Sequence, residues 1–201
     1  MPEDARHTAR INEFLLARHG ETEWSANGRH TSRTDLPLTD NGRRLAQRLA
    51  PHLTGRRFGL VLTSPLRRAL QTSELAGLVA EAQIRDDLRE WDYGDYEGLT
   101  TAEIHRRRPG WSLWRDGCPN GETAADVAAR ADRVIAEIRA ADGNAIAFGH
   151  GHMLRVLAAR WLGLPPEDGA LFALATGTLS TLGYEHETPV ILSWSELPSA
   201  S

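Results

Sequence analysis

The chain has 201 residues, 41% hydrophobic and 25% charged, the balance of a globular protein long enough to bury a core. A net charge of −4 offers no basic field to nucleic acid or an anionic membrane surface. All 23 basic residues are arginine, which excludes a lysine Schiff base and a Walker-type phosphate lysine, and the lone Cys118 excludes an internal disulfide and a cysteine-rich metal site.

Residues 1–11 read as a loose leader, and Met1 to Asn12 lacks the apolar stretch of a signal peptide. No run approaches the ~18 apolar residues of a membrane span, so a cytoplasmic protein is expected. Ile11 to Ala17 reads as a first buried strand that ends abruptly in Arg18-His19-Gly20. Arg18 to Pro37 then forms a long polar loop, of a length that in a compact domain usually carries function. Thr39 opens a helix with Leu45, Leu49 and Leu53 on one face, stopped at Gly55.

Gly59 to Thr63 is a second short strand, and Ser64-Pro65 leads into a helix over Leu66 to Val79 that presents Arg67 and Arg68 in its first turn. From Gln83 the chain is strand-like, then turns through an acidic and aromatic stretch to Gly98. Thr100 to Arg108 is a short helix ended by Pro109, and Gly110 to Gly121 is irregular, with Trp111 or Trp114 a candidate pocket aromatic and core packing the alternative. Thr123, with Asp126 three residues on, caps a long helix. Asn144 to Phe148 is a third strong strand running into Gly149-His150-Gly151-His152, and a further helix ends at Gly163. The tail, Leu171 to Leu197, reads as strands separated by Gly177, Gly183 and Pro189. An exposed strand there offers an edge for a homodimer.

Strands alternating with helices predict an α/β fold, a three-layer α/β/α arrangement with a mostly parallel central sheet. Residues 91–122 break the rhythm and read as a small helical cap inserted in a single domain. The carboxyl ends of parallel strands share one edge, so Arg18, His19, Arg68 and His150 are expected to converge there. Arginine forks suit a tetrahedral dianion, and a histidine at a strand end adds a nucleophile that a bare anion site would not need. His30, His152 and the acidic stretch have no metal-ligand spacing and read as satisfied polar residues; no metal and no cofactor are expected.

Four motifs, Arg18-His19-Gly20-Glu21-Thr22-Glu23-Trp24, Ser64 to Thr72, Leu88-Arg89-Glu90 through Glu97-Gly98, and Gly149-His150-Gly151, occur in an order that resembles the histidine phosphatase superfamily, in its phosphoglycerate-mutase-like branch. The resemblance implies that His19 takes up the phosphoryl group while Arg18, Arg68 and His150 hold its oxygens. It implies Glu90 as the proton donor and acceptor. Thr22, Ser25, Thr31 and Gly151 are implied as phosphate or substrate contacts, although Ser25 and Ser32 depart from the residues usual in the mutases. The implied activity is a metal-independent phosphomonoesterase acting through phosphohistidine on a small phosphorylated metabolite. A cofactor-dependent phosphoglycerate mutase is the first alternative and a non-catalytic phosphate-binding protein the second. The short stretch between Glu90 and His150, and His152 where the mutases carry Asn, favour water as acceptor. Arg106-Arg107-Arg108 reads as a solvated turn rather than a substrate clamp.

Overall fold

A computed structural model describes residues 13–198; the leader and the predicted strand residues Ile11 and Asn12 lie outside them. The first strand is β1 (Phe14–Arg18), and the loop after it contains a short helix, α1 (Glu23–Ala26). Thr22 caps α1, accepting from Ser25 N while the Ser25 hydroxyl answers the Thr22 N–H, so the loop is locally folded rather than structureless. The single helix predicted from Thr39 divides into α2 (Asp40–Gln47) and α3 (Ala50–Leu53). Pro51 is the physical reason: it has no N–H for the Gln47 carbonyl, and its ring crowds that carbonyl.

Strand β2 (Phe58–Thr63) follows, then α4 (Arg67–Leu75). α4 ends earlier than the predicted Val79, because Gly77 takes a positive φ of 82°. Gly77 N–H then bonds Glu74 O and Leu78 N–H bonds Ser73 O, a Schellman closure. The two-residue strand β3 (Gln83–Ile84) leads to a 3-10 turn at Asp86–Leu88. Within 91–122 lie a second 3-10 turn at Gly94–Tyr96, α5 (Thr101–Arg107) and α6 (Leu113–Asp116). α7 (Ala124–Ala140) starts at the Thr123–Asp126 capping box read from the sequence. β4 (Asn144–Gly149), α8 (Gly151–Trp161), a 3-10 turn at Pro166–Leu171 where the tail strands are predicted to begin, β5 (Leu179–Glu185) and β6 (Thr188–Glu196) complete the order.

The sheet runs β3-β2-β4-β1-β5-β6. β3, β2, β4 and β1 are mutually parallel neighbours, β5 is antiparallel to β1, and β6 is antiparallel to β5. The alternation of strand side chains builds two cores. Phe14, Leu16, Leu62 and Ala147 pack with α7, α8 and the aromatic residues of 91–122. Leu15, Ala17, Val61 and Phe148 pack with Leu49, Leu53 and Ala76 on the opposite face. This is the predicted three-layer α/β/α arrangement.

The tail corrects one expectation. Gly183 and Pro189 lie inside β5 and β6 rather than between strands, and the turn falls at His186, with φ of 54°. A Cβ at Gly183 would come within 2.7 Å of Leu192 Cδ1, so this glycine admits a cross-strand side chain. Pro189 is tolerated because β6 is the edge strand.

Candidate active site

Register brings three strand ends level. Arg18 pairs with Gly149 and Thr63 with Phe148, so the residues that follow, His19, His150 and Ser64, emerge from one edge. Two backbone bonds close the junctions, His19 N–H to Gly149 O at 3.0 Å and Ser64 N–H to Phe148 O at 3.0 Å. Beside them lies a cavity of about 230 Å³ whose lining includes Arg18, His19, Thr22, Ser25, Thr31, Glu90 and Gly151, seven of the residues singled out from the sequence.

His19 is 4% exposed. Its Nδ1 lies 2.6 Å from Gly20 O, and a carbonyl only accepts, so Nδ1 carries the proton and Nε2 keeps its lone pair. Burial, with Arg68 and Arg18 adding like charge, holds its pKa well below the ordinary 6.5. The ring is therefore neutral at physiological pH, which is the state of a nucleophile. Gly20 permits this placement, since a Cβ there would meet Gly42 O at 2.2 Å where the chain crosses α2.

Arg68 and His150 sit beneath the cavity and not in its wall. Their rings and forks lock one another: Arg68 Nε donates to His150 Nδ1 at 3.1 Å, which leaves the proton of His150 on Nε2, 2.7 Å from Ser64 Oγ. The remaining Arg68 donors reach Thr34 O, Thr31 O and Ser32 O, tying the loop that bears Thr31. The ring centroids of His19 and His150 are 5.1 Å apart. Arg67, the neighbouring candidate, is exposed, and it is Arg68 that α4 turns inward.

Arg18 bonds Leu174 O through Nη1, and its Nε is buried without a partner. Its guanidinium lies against Gly151, where a Cβ would stand 3.2 Å from Arg18 Cζ. The second glycine of Gly149-His150-Gly151 thus makes room for the arginine of the first motif. Among the described residues neither Arg18 nor Arg68 forms an ion pair, so two cations, Arg68 buried and Arg18 half-buried, stand ready for an anion.

Of the acidic stretch only Glu90 reaches the cavity. Asp87 pairs with Arg133, Asp92 with Arg33, and Glu97 accepts the N–H groups of Ser32 and Thr34. Glu90 is 6% exposed. Its carboxylate accepts from Trp91 N and Met153 N at 2.9 Å each and from His152 N at 3.1 Å, which anchors it at the start of α8.

Several residues join the wall that the sequence reading left out of the site. Arg155 lies four residues after Gly151 on α8, and that spacing was the available signal. It stacks on Trp114, 4.6 Å from the ring centre, and bonds Gly169 O and Ala170 O. Tyr93, His30 and His152 also line the cavity, while Trp111 and Trp114 do not. Trp111 is buried packing, and Trp114 backs Arg155 and His152. Ser25 stands in the wall as the closing partner of the α1 cap, and the Thr31 hydroxyl bonds Arg29 O. Arg106, Arg107 and Arg108 are exposed and take no part.

Comparison with known proteins shows the family. The family model of the histidine phosphatase superfamily, branch 1, matches residues 14–197. The chain is 43% identical over 182 residues to an acid phosphatase of Mycobacterium tuberculosis, covering 88% of this chain and 89% of that one. It is 40% identical to the sedoheptulose 1,7-bisphosphatase of Saccharomyces cerevisiae over 75% of this chain and 67% of the relative. The solved structure of an open reading frame product from Mycobacterium tuberculosis superposes with a TM-score of 0.87 at 38% identity, over 94% of this chain and 99% of that one. With the motifs, the fold and the matched span in accord, this chain belongs to branch 1 of the histidine phosphatase superfamily.

Proposed function

We propose that the protein is a phosphomonoesterase that hydrolyses a small phosphorylated metabolite through a phosphohistidine at His19. The observation that carries this reading is the Nε2 of a buried, neutral His19, without a partner among the described residues and set among two arginines that have no carboxylate partner there. Nε2 attacks phosphorus as the bond to the leaving oxygen breaks, and Glu90 gives that oxygen its proton. Water then attacks the phosphohistidine, Glu90 takes the water's proton, and inorganic phosphate leaves with His19 restored. Arg18, Arg68 and His150 stabilise the charge on the transferring group, the task a metal ion performs elsewhere, so no metal or other cofactor is required. Arg68 and His150 act from beneath, after giving up part of their present bonding to the loop and Ser64.

The exposed position of Arg106 to Arg108 supports water over a second phosphorylated acid as the acceptor. The chain works as one domain, with 91–122 as its cap. No helix among the described residues is long and apolar enough to cross a membrane, and with the sequence composition this supports a cytoplasmic setting. The β6 edge, where Leu192 is half-exposed, supports a homodimer, which sedimentation velocity tests.

The decisive assay is p-nitrophenyl phosphate hydrolysis in EDTA. Wild type is expected to turn over, and His19→Ala to lose at least about 1,000-fold in kcat. Loss of activity in EDTA restored by added metal, or an active His19→Ala, overturns the mechanism. A silent wild type that interconverts phosphoglycerates establishes the mutase instead.

A further inference from the structure

His30 and His152 face one another across the cavity wall with rings nearly parallel, at 7° and 6.3 Å between centroids. Each ring has one nitrogen engaged. His30 Nδ1 lies 2.8 Å from Leu99 O, and since a carbonyl only accepts, the proton is on Nδ1 and Nε2 is an open acceptor. His152 Nδ1 lies 2.6 Å from the Tyr93 hydroxyl. Tyr93 is 2% exposed and its hydroxyl bonds nothing else among the described residues, so it must donate or leave a buried O–H unsatisfied. His152 Nδ1 is then the acceptor, and its proton sits on Nε2, an open donor. Among the described residues neither Nε2 has a partner, and neither belongs to the buried atoms lacking one, so both are open to the cavity. Aromatic neighbours set edge-on, Tyr93 and Trp111 at His30, and Trp91 and Trp114 at His152, hold the rings against rotation.

One open acceptor and one open donor face the same space. A carboxylate or phosphate offers only acceptors and an ammonium only donors, whereas a hydroxyl offers both from one atom. Burial also lowers both pKa values, so neither ring brings a charge for a second anion. Of the cations nearby, Arg29 bonds Gly98 O and Glu103, while Arg155 has Nε and Nη2 on the carbonyls of Gly169 and Ala170 and its face on Trp114. The pair also stands on the leaving-group side, because the backbone N–H of His152 itself donates to Glu90.

Resting on the phosphatase reading, we infer that His30 and His152 read hydroxyl groups on the alcohol released by the reaction, so that the substrate class is a phosphorylated polyol or sugar. Tyr93 is a positioning residue that sets the His152 tautomer.

The test compares kcat/KM for glycerol 1-phosphate with that for propyl phosphate, which has the same carbon chain without free hydroxyls. The expected wild-type preference for glycerol 1-phosphate is about tenfold or more. In His30→Phe and in His152→Phe, each keeping an aromatic ring of similar size, that ratio falls towards one, and in Tyr93→Phe it falls by a smaller factor. A wild-type ratio near one overturns the inference, as does a ratio maintained in both histidine variants. If His152→Phe does not fold, His30→Phe alone decides. Hydrolysis of neither ester by wild type removes the phosphatase reading and the inference with it, and so is distinct from equal hydrolysis of both.

Discussion

The floor and the wall of the cavity are built on opposite plans. On the floor, Arg68 and His150 spend their polar atoms on each other, on Ser64 and on loop carbonyls, and His19 is pinned through Nδ1. On the wall, His30 and His152 each leave a ring nitrogen open. The floor comes from strand ends and first helical turns, which the sheet holds rigidly. The wall comes from loop 18–37, the 91–122 segment and α8. The difference teaches a division of labour: a preorganised floor suits a phosphoryl group common to every substrate, and open groups on a wall suit recognition of the variable remainder.

Acid is the strongest way to break this comparison. His19, His150 and His152 are all held well below the ordinary value of 6.5, chiefly by burial. Below pH 6.5 the unfolded chain binds protons that the folded chain refuses, so stability is full above that value and falls with pH towards the folded pKa values. Each ring removes up to about 1.4 kcal/mol per pH unit in that window, about 4 kcal/mol for three. Urea unfolding from pH 7.5 to 5 checks this, and His152→Phe should remove one ring's share of the slope while the floor retains two.

Arg68→Lys comes next. A lysine cannot hold His150 and the carbonyls of Thr31, Ser32 and Thr34 together, and the expected loss in kcat/KM is about 100-fold. A smaller loss, confined to KM, would show that the floor needs only a positive charge. Gly151→Ala presses a methyl group against the Arg18 guanidinium and should lower kcat/KM about tenfold. An unchanged rate would show that Arg18 yields at no cost. Ser25→Ala removes the reciprocal cap of α1 at the edge of the wall. Its expected effect is smallest, about 1 kcal/mol of stability, read from the shift in denaturation midpoint.

Much of the floor is legible in the chain itself. The apolar runs ending at Arg18 and Gly149 announce buried strands, and the side chains that act at their ends are adjacent in sequence to those runs. Arg68 is distinguishable from Arg67 by its place in the motif, and it is Arg68 that is buried while Arg67 is exposed. Glu90 stands out less. It is one of several carboxylates in an acidic stretch, and only the fold shows that α8 anchors it while Asp87 and Asp92 pair with arginines elsewhere. The wall is less legible still. His30 and His152 each look like a lone polar residue until the fold sets their rings face to face.

By itself the sequence determined the alternation of strands and helices, the capping box at Thr123, and the identity of the residues at the strand ends. These rest on signals between near neighbours: the period of apolar side chains, a hydroxyl three residues before a carboxylate, a glycine or proline at a turn. Tertiary structure alone decided that β4 lies between β2 and β1, bringing His150 to both Ser64 and His19. It also decided which ring nitrogens carry protons, because each is set by a partner that the fold supplies, often from far along the chain.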